Sequence, residues 1–152
     1  MKRNNSGIWL CALALVGLCI ATVGGTAAAQ DAQEKKAIAV TTGTFRKVAH
    51  NTSGSVTIYE LPNGTRELRI SNLNTASGPA LHVYLVKAED VKDSQSVKRA
   101  GFIDLGKLQK QKGDSVYRVP ADIDLWQYLS VTIWCQKFSV NFGTAPLKAA
   151  GR

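Results

Sequence analysis

Short runs of alternating apolar and polar residues recur along this chain. Val56 and Ile58 alternate with Thr57 and Tyr59, and Leu68 and Ile70 with Glu67 and Arg69; Pro62-Asn63-Gly64-Thr65 lies between the two runs. Alternation on both sides of an Asn-Gly pair predicts a hairpin closed by a tight primed turn, since Asn and Gly accept the positive φ such a turn requires. Ser77-Gly78-Pro79 breaks the chain before Leu81, Val83 and Leu85, which alternate with His82 and Tyr84 in a third strand. Further strands are predicted over residues 102–108 and, as a short edge strand, 116–119, with a turn at 109–114 between them. Residues 89–98 read as an exposed loop or short helix. Val131, Ile133 and Cys135 occupy one face of the next strand, and Thr132, Trp134 and Gln136 the other. Phe138, Val140 and Phe142 continue the alternation, so 131–135 and 138–142 are expected as central strands. About seven short strands and no long amphipathic helix predict an all-β fold, an antiparallel β-sandwich or barrel.

The N-terminus carries a different signal. Lys2 and Arg3 precede an apolar run over residues 8–23, and Ala27-Ala28-Ala29 follows with the small side chains that a signal peptidase accepts. Residues 1–29 are therefore read as a cleaved leader, 30–40 as a polar tether, 41–148 as one β domain and 149–152 as a tail. The run is short for a bilayer span, so a retained anchor is the weaker reading. Cys19 offers a lipid-attachment alternative, but Leu18 before it is larger than the residue such sites use. The expected location is exported: periplasmic, cell-surface or extracellular. Membrane contact would come through the leader or a lipidated Cys19.

Removing the leader takes away Lys2 and Arg3 and lowers the net charge by two, from +8 to +6. Lys87, Lys92, Lys98, Arg99, Lys107 and Lys110 lie close in sequence but are interleaved with Glu89, Asp90, Asp93 and Asp104, which reads as a solvated face. No dense basic stripe or reading motif points to nucleic acid; an anionic cell surface is the partner this charge suggests.

Leader removal also takes away Cys11 and Cys19. Cys135 is left alone in a compartment where thiols oxidise, with no intrachain disulfide open to it. Its parity places it on the face expected to be buried, where a thiol packs as a small hydrophobe; reactivity would require exposure. His50 and His82 are the two histidines. His82 lies on the polar side of its strand and His50 in a loop-like stretch. Brought together with Cys135 they would form a Cys-His-His metal set or offer axial ligands to a non-covalent haem. Covalent haem lacks its Cys-x-x-Cys-His motif. A blue-copper site lacks a histidine after Cys135, and the sole methionine is Met1. Asp122 and Asp124 are too few for calcium and are expected to cap a short helical turn over 125–128. Trp126, Tyr128 and Trp134 either line a ligand surface or fill the core. Hydrolase elbows, zinc-protease motifs and phosphate-binding glycine loops are missing, so the chain reads as an accessory rather than an enzyme on its own.

Six segments together resemble the DM13 domain family: GTF at 43–45, HNTSGSVTIYE at 50–60, SGPALHVYL at 77–85, DLGKL at 104–108, KGDSVYRVP at 112–120 and VTIWCQKFSVNFGTAPL at 131–147. The Trp-Cys pair followed by an aromatic-rich strand is the most specific of these. The resemblance implies an extracytoplasmic module of an electron-transfer system. In it the cysteine matching Cys135 would serve as a redox thiol or hold a prosthetic group such as haem, and a separate redox protein would be the partner. The alternative is a non-catalytic cell-surface binding module in which Cys135 is structural.

Mature protein recovered from its native host is expected to begin at Gln30. Intact-mass spectrometry checks this, and a retained leader or a lipid-modified Cys19 would contradict it.

Overall fold

A computed structural model describes residues 37–151. The leader over 1–29, Cys11, Cys19 and most of the stretch read as a tether lie outside the described residues. Ten strands follow in order: β1 (Ile38–Thr44), β2 (Arg46–Lys47), β3 (Thr52–Glu60), β4 (Arg66–Thr75), β5 (Leu81–Val86), β6 (Phe102–Lys107), β7 (Lys112–Val119), β8 (Ser130–Cys135), β9 (Val140–Pro146) and β10 (Lys148–Ala149). One helix, α1 (Ser94–Ala100), precedes β6, and a 3-10 turn (Leu125–Gln127) precedes β8. The strands form two antiparallel five-stranded sheets, ordered β10-β1-β3-β4-β7 and β2-β9-β8-β5-β6. The fold is thus the sandwich, with neither sheet closed into a barrel.

Eight of the strands are longer than two residues. β1 is the one the alternation missed: its sequence IAVTTGT is mostly small and threonine-rich, and it begins at Ile38, inside the expected tether. β10 likewise runs into the expected tail and pairs with β1 through Thr41↔Ala149.

The predicted hairpin is β3 and β4, paired from Glu60↔Arg66 to Thr52↔Thr75. Its turn differs from expectation. Gly64 alone takes positive φ there, at 76°, and its N–H donates to the Leu61 carbonyl at 2.9 Å, so Asn63 is not left-handed. Asn63 instead accepts from the Thr65 N–H and hydroxyl, a local side-chain bond typical of Asn in turns.

β8 is the middle strand of its sheet, as expected. β9 is interior but starts at Val140: Phe138 sits in the 136–139 turn, 62% exposed, and Ser139 takes φ 53° there. The turn consumed residues that alternation had placed in the strand. At the far edge β7 starts at Lys112, four residues before the predicted strand, because Asp114 accepts the Asn72 N–H at 2.7 Å across a register shift between β4 and β7.

Val56, Ile58, Leu68, Ile70, Val83, Leu85, Val131 and Ile133, all essentially inaccessible, form the core between the sheets. The second sheet is also covered on its outer side. There α1, capped by Asp93 accepting from the Ser96 N–H at 2.7 Å, packs Val97 with Val91 on Val86, Tyr84 and Trp134. Every residue of β8 is consequently buried, including Thr132 and Trp134, which the alternation placed on the face opposite Val131, Ile133 and Cys135.

The sheets approach closely where Gly143 on β9 faces Thr52 on β3; a β-carbon at 143 would fall inside the Thr52 side chain. Gly143→Ala is expected to destabilise the fold by about 2 kcal/mol or more, the cost of overpacking against the buried, β-branched Thr52 side chain, which cannot swing aside without moving its strand. Urea denaturation would measure it.

Candidate functional site

Paired residues of adjacent antiparallel strands share a face, so the β5/β8 register sorts the candidate residues. Leu81↔Cys135, Val83↔Ile133 and Leu85↔Val131 point into the core, while His82↔Trp134 and Tyr84↔Thr132 point outward. Cys135 is fully buried, and its thiol donates to the Pro79 carbonyl at 3.1 Å. Pro79 and Ala80 are themselves exposed, and Ala80 takes positive φ at 54°. The thiol therefore lies one chain segment below the surface, beneath 77–80, which the Gln136 N–H holds through the Ala80 carbonyl at 3.0 Å.

His82 lies on the other side of the sheet. Its Nδ1 is 2.9 and 3.0 Å from the two Asp104 carboxylate oxygens, and Asp104 is fixed in turn by the Gly106 N–H at 2.8 Å and the Gln136 amide at 2.9 Å. The same Gln136 amide nitrogen donates to the Tyr84 hydroxyl at 3.1 Å. Tyr84 stacks on Phe102, with ring centroids 4.3 Å apart and planes 5° apart, and on Trp134 at 5.8 Å. Sequence reading weighed Trp134 as a ligand-surface or core residue and missed Tyr84, Asp104 and Gln136 as a group. Only the β5/β6/β8 register brings them together.

His50 is exposed, its ring 4.0 Å from Phe142. The structure thus separates the three predicted ligands: Cys135 faces the core, His82 faces outward and is bound to Asp104, and His50 rests on a core phenylalanine. Among the described residues no group of three His, Cys, Asp or Glu is placed to hold a metal. A haem does not fit these residues either, because Cys135 has no free face and its thiol is committed to Pro79. Two surface hollows, of about 370 and 390 Å³, are lined by neither Cys135 nor a histidine. Asp124 caps the 3-10 turn, accepting from the Trp126 N–H at 3.2 Å, as expected. Tyr128 and Trp134 are buried, whereas Trp126 is 64% exposed.

A family model described as electron transfer DM13 matches residues 44–147. The chain belongs to the DM13 family. That match spans the sandwich from the end of β1 to the end of β9, so it takes in both Cys135 and the His82–Asp104–Tyr84 group. No curated protein and no solved structure matches this DM13 chain. Among its described residues no helix is long and apolar enough to cross a membrane.

Burial raises the Tyr84 phenol above its ordinary value of 10.0; the Gln136 hydrogen bond opposes this and the Asp104 charge adds to it. The folded chain therefore keeps a proton that the unfolded chain releases. This contribution to stability is complete below the unfolded value and is lost as pH rises through the folded one. In that alkaline range the DM13 domain is expected to lose stability more steeply with pH than its Tyr84→Phe variant, as read from urea midpoints.

Proposed function

We propose that this DM13 domain is an exported electron-transfer accessory that serves a separate redox protein through Cys135 as a bare thiol. The observation that carries this is the position of the thiol, fully buried yet hydrogen-bonded to the carbonyl of the exposed Pro79. The family's electron-transfer description supplies the context. When 77–80 lifts, Cys135 loses its proton to solvent and the thiolate attacks a disulfide of the partner. One sulfur–sulfur bond forms to Cys135, the partner's bond breaks, and its second sulfur leaves as thiolate. Attack by that second sulfur would only reverse the step; net transfer of the electron pair requires a thiol of a further molecule to attack the Cys135 sulfur and release the partner's other sulfur as thiolate, which leaves the partner as a dithiol and Cys135 in a new mixed disulfide.

Closed, the site protects a lone thiol from the oxidation that an exposed one meets outside the cytoplasm. The contacts holding the segment down are few: the Cys135 and Gln136 hydrogen bonds, and Ser77 to Gln111 at 3.3 Å. Gly78 lies against Phe142 and Leu81 at a spacing that leaves no room for a β-carbon, so the cover sits tightly when shut.

Alkylation of native protein by a maleimide, followed by mass at increasing denaturant, tests the proposal. A functional thiol is expected to label through local opening, at a rate independent of denaturant at low concentrations and faster than global unfolding. Labelling that tracks global unfolding at every concentration would leave Cys135 a packing residue and favour a binding module.

A further inference from the structure

Each sheet has two open edges, and among the described residues they are unequal. β10 and β2 are two residues long, and β6 is interrupted by a register shift and by Gly106 at φ 115°. β7, at eight residues, is the longest edge strand. An open edge of that length offers unpaired backbone groups to another strand.

The hairpin register shows which groups these are. The Leu61 N–H donates to the Thr65 carbonyl at 2.8 Å, so every second pair from there is hydrogen-bonded across β3 and β4, including Tyr59↔Glu67 and Thr57↔Arg69. The backbone groups of Glu67 and Arg69 are thereby turned toward β3. Arg118 and Val116, opposite them on β7, turn their own N–H and C=O away from β4 and toward the open edge. Gln109 marks that direction. Its side-chain amide donates to the Val116 carbonyl at 2.7 Å, where the N–H of a neighbouring strand would stand, and Gln109 is itself exposed.

The side chains of β7 complete the pattern. Ser115, Tyr117 and Val119 are buried, while Asp114, Val116 and Arg118 are exposed on the outer face, Val116 by 46%. Charges on an edge strand ordinarily discourage pairing with another copy. Here their order is symmetric about an apolar centre. Two β7 strands set antiparallel with Val116 opposite Val116 place Asp114 of each opposite Arg118 of the other. Centring the pair on Asp114 or on Arg118 instead would oppose like charges.

We infer that β7 is a self-association edge, at which two copies of this chain join their β7-containing sheets into one through antiparallel pairing centred on Val116. The Gln109 side chain gives way, and the two Val116 residues exchange both of their backbone hydrogen bonds. The Asp114–Arg118 pairs on either side fall in the same hydrogen-bonded phase, and the Val116 side chains cover each other. The Asn72 N–H already holds Asp114 Oδ1 at 2.7 Å, which fixes the carboxylate for the arginine of the other copy. The inference goes beyond the electron-transfer reading and does not depend on the chemistry of Cys135.

Sedimentation equilibrium of the mature chain over a range of concentrations tests this, with reductant present so that no disulfide forms between two Cys135 thiols. A monomer–dimer equilibrium is expected. Arg118→Asp, which sets Asp against Asp on both sides of the axis, should weaken it about tenfold or more, and adding Asp114→Arg should restore it. Val116→Pro removes the central donor without breaking a bond to β4 and should leave a monomer. Circular dichroism of each variant confirms that the fold persists, and the two single variants decide the matter if the double exchange does not fold. A chain that stays monomeric at every concentration, or a dimer indifferent to both Arg118→Asp and Val116→Pro, would overturn the inference. Maleimide labelling of Cys135 keeps the two readings apart. Native labelling of a purely monomeric chain would remove this inference alone; a dimer with an inert thiol would remove only the proposal for Cys135.

Discussion

The fold depends on a strand that has no solvent face. β8 crosses the middle of its sheet with Val131, Ile133 and Cys135 against the other sheet and Ser130, Thr132 and Trp134 beneath α1 and the chain leading into it. Such burial presses polar residues on the outer side to find partners, and most do, although Thr132 Oγ1 and Asn141 Oδ1 have none. Ser130 donates to the Ala88 carbonyl at 2.6 Å, Thr144 donates to the Val91 carbonyl at 3.1 Å, and the Asn141 N–H donates to the Ser94 hydroxyl at 2.9 Å. These bonds tie the 88–94 segment to the sheet from beneath, and the Arg46–Asp90 ion pair ties it from β2. An apolar outer face would bury equally well but would leave the cover free to slide.

The same strand explains why the expected ligand set never forms. Successive residues of a strand point to opposite faces, so Cys135 and Trp134 cannot share a side, and His82, paired with Trp134, goes outward with it. A Cys135–His82 site would require a bulge between positions 81 and 82 or 134 and 135, and the β5/β8 register is unbroken there. The irregularity in this region falls on the other side of β8, between Ile133 and Trp134 in the pairing with β9, where it admits Phe142 to the core.

How much was legible follows from what alternation encodes. Period-two runs placed β3, β4, β5 and β8, and put Cys135 on its buried face, because a half-buried strand writes its orientation into its side chains. They could not show that Thr132 and Trp134 are buried too, since that depends on a helix some forty residues away in sequence. β1 escaped notice because its small and threonine residues show little contrast between faces, and Phe138 was misplaced because an aromatic at a turn has the same parity as one in a strand. The Tyr84–Asp104–Gln136 group left no local mark at all: its members come from β5, β6 and the turn that follows β8, and the pairing of those strands brings them together.

Placing Cys135 and Tyr84 on opposite faces of one sheet gives them different requirements for access. A thiol must touch what it reacts with, since its step makes a bond, so Cys135 works only when 77–80 yields. Tyr84 lies against Phe102 at the edge of the sheet, with no segment to move. On the proposed readings the domain thus answers two kinds of partner. A protein presenting a disulfide would have to dock on the 77–80 side and open it, whereas a second copy need only displace the Gln109 side chain at β7. Because Trp134 and Cys135 are neighbours in the chain, the barrier between the two faces is the thickness of a single strand, held closed by the packing that buries β8 on both sides.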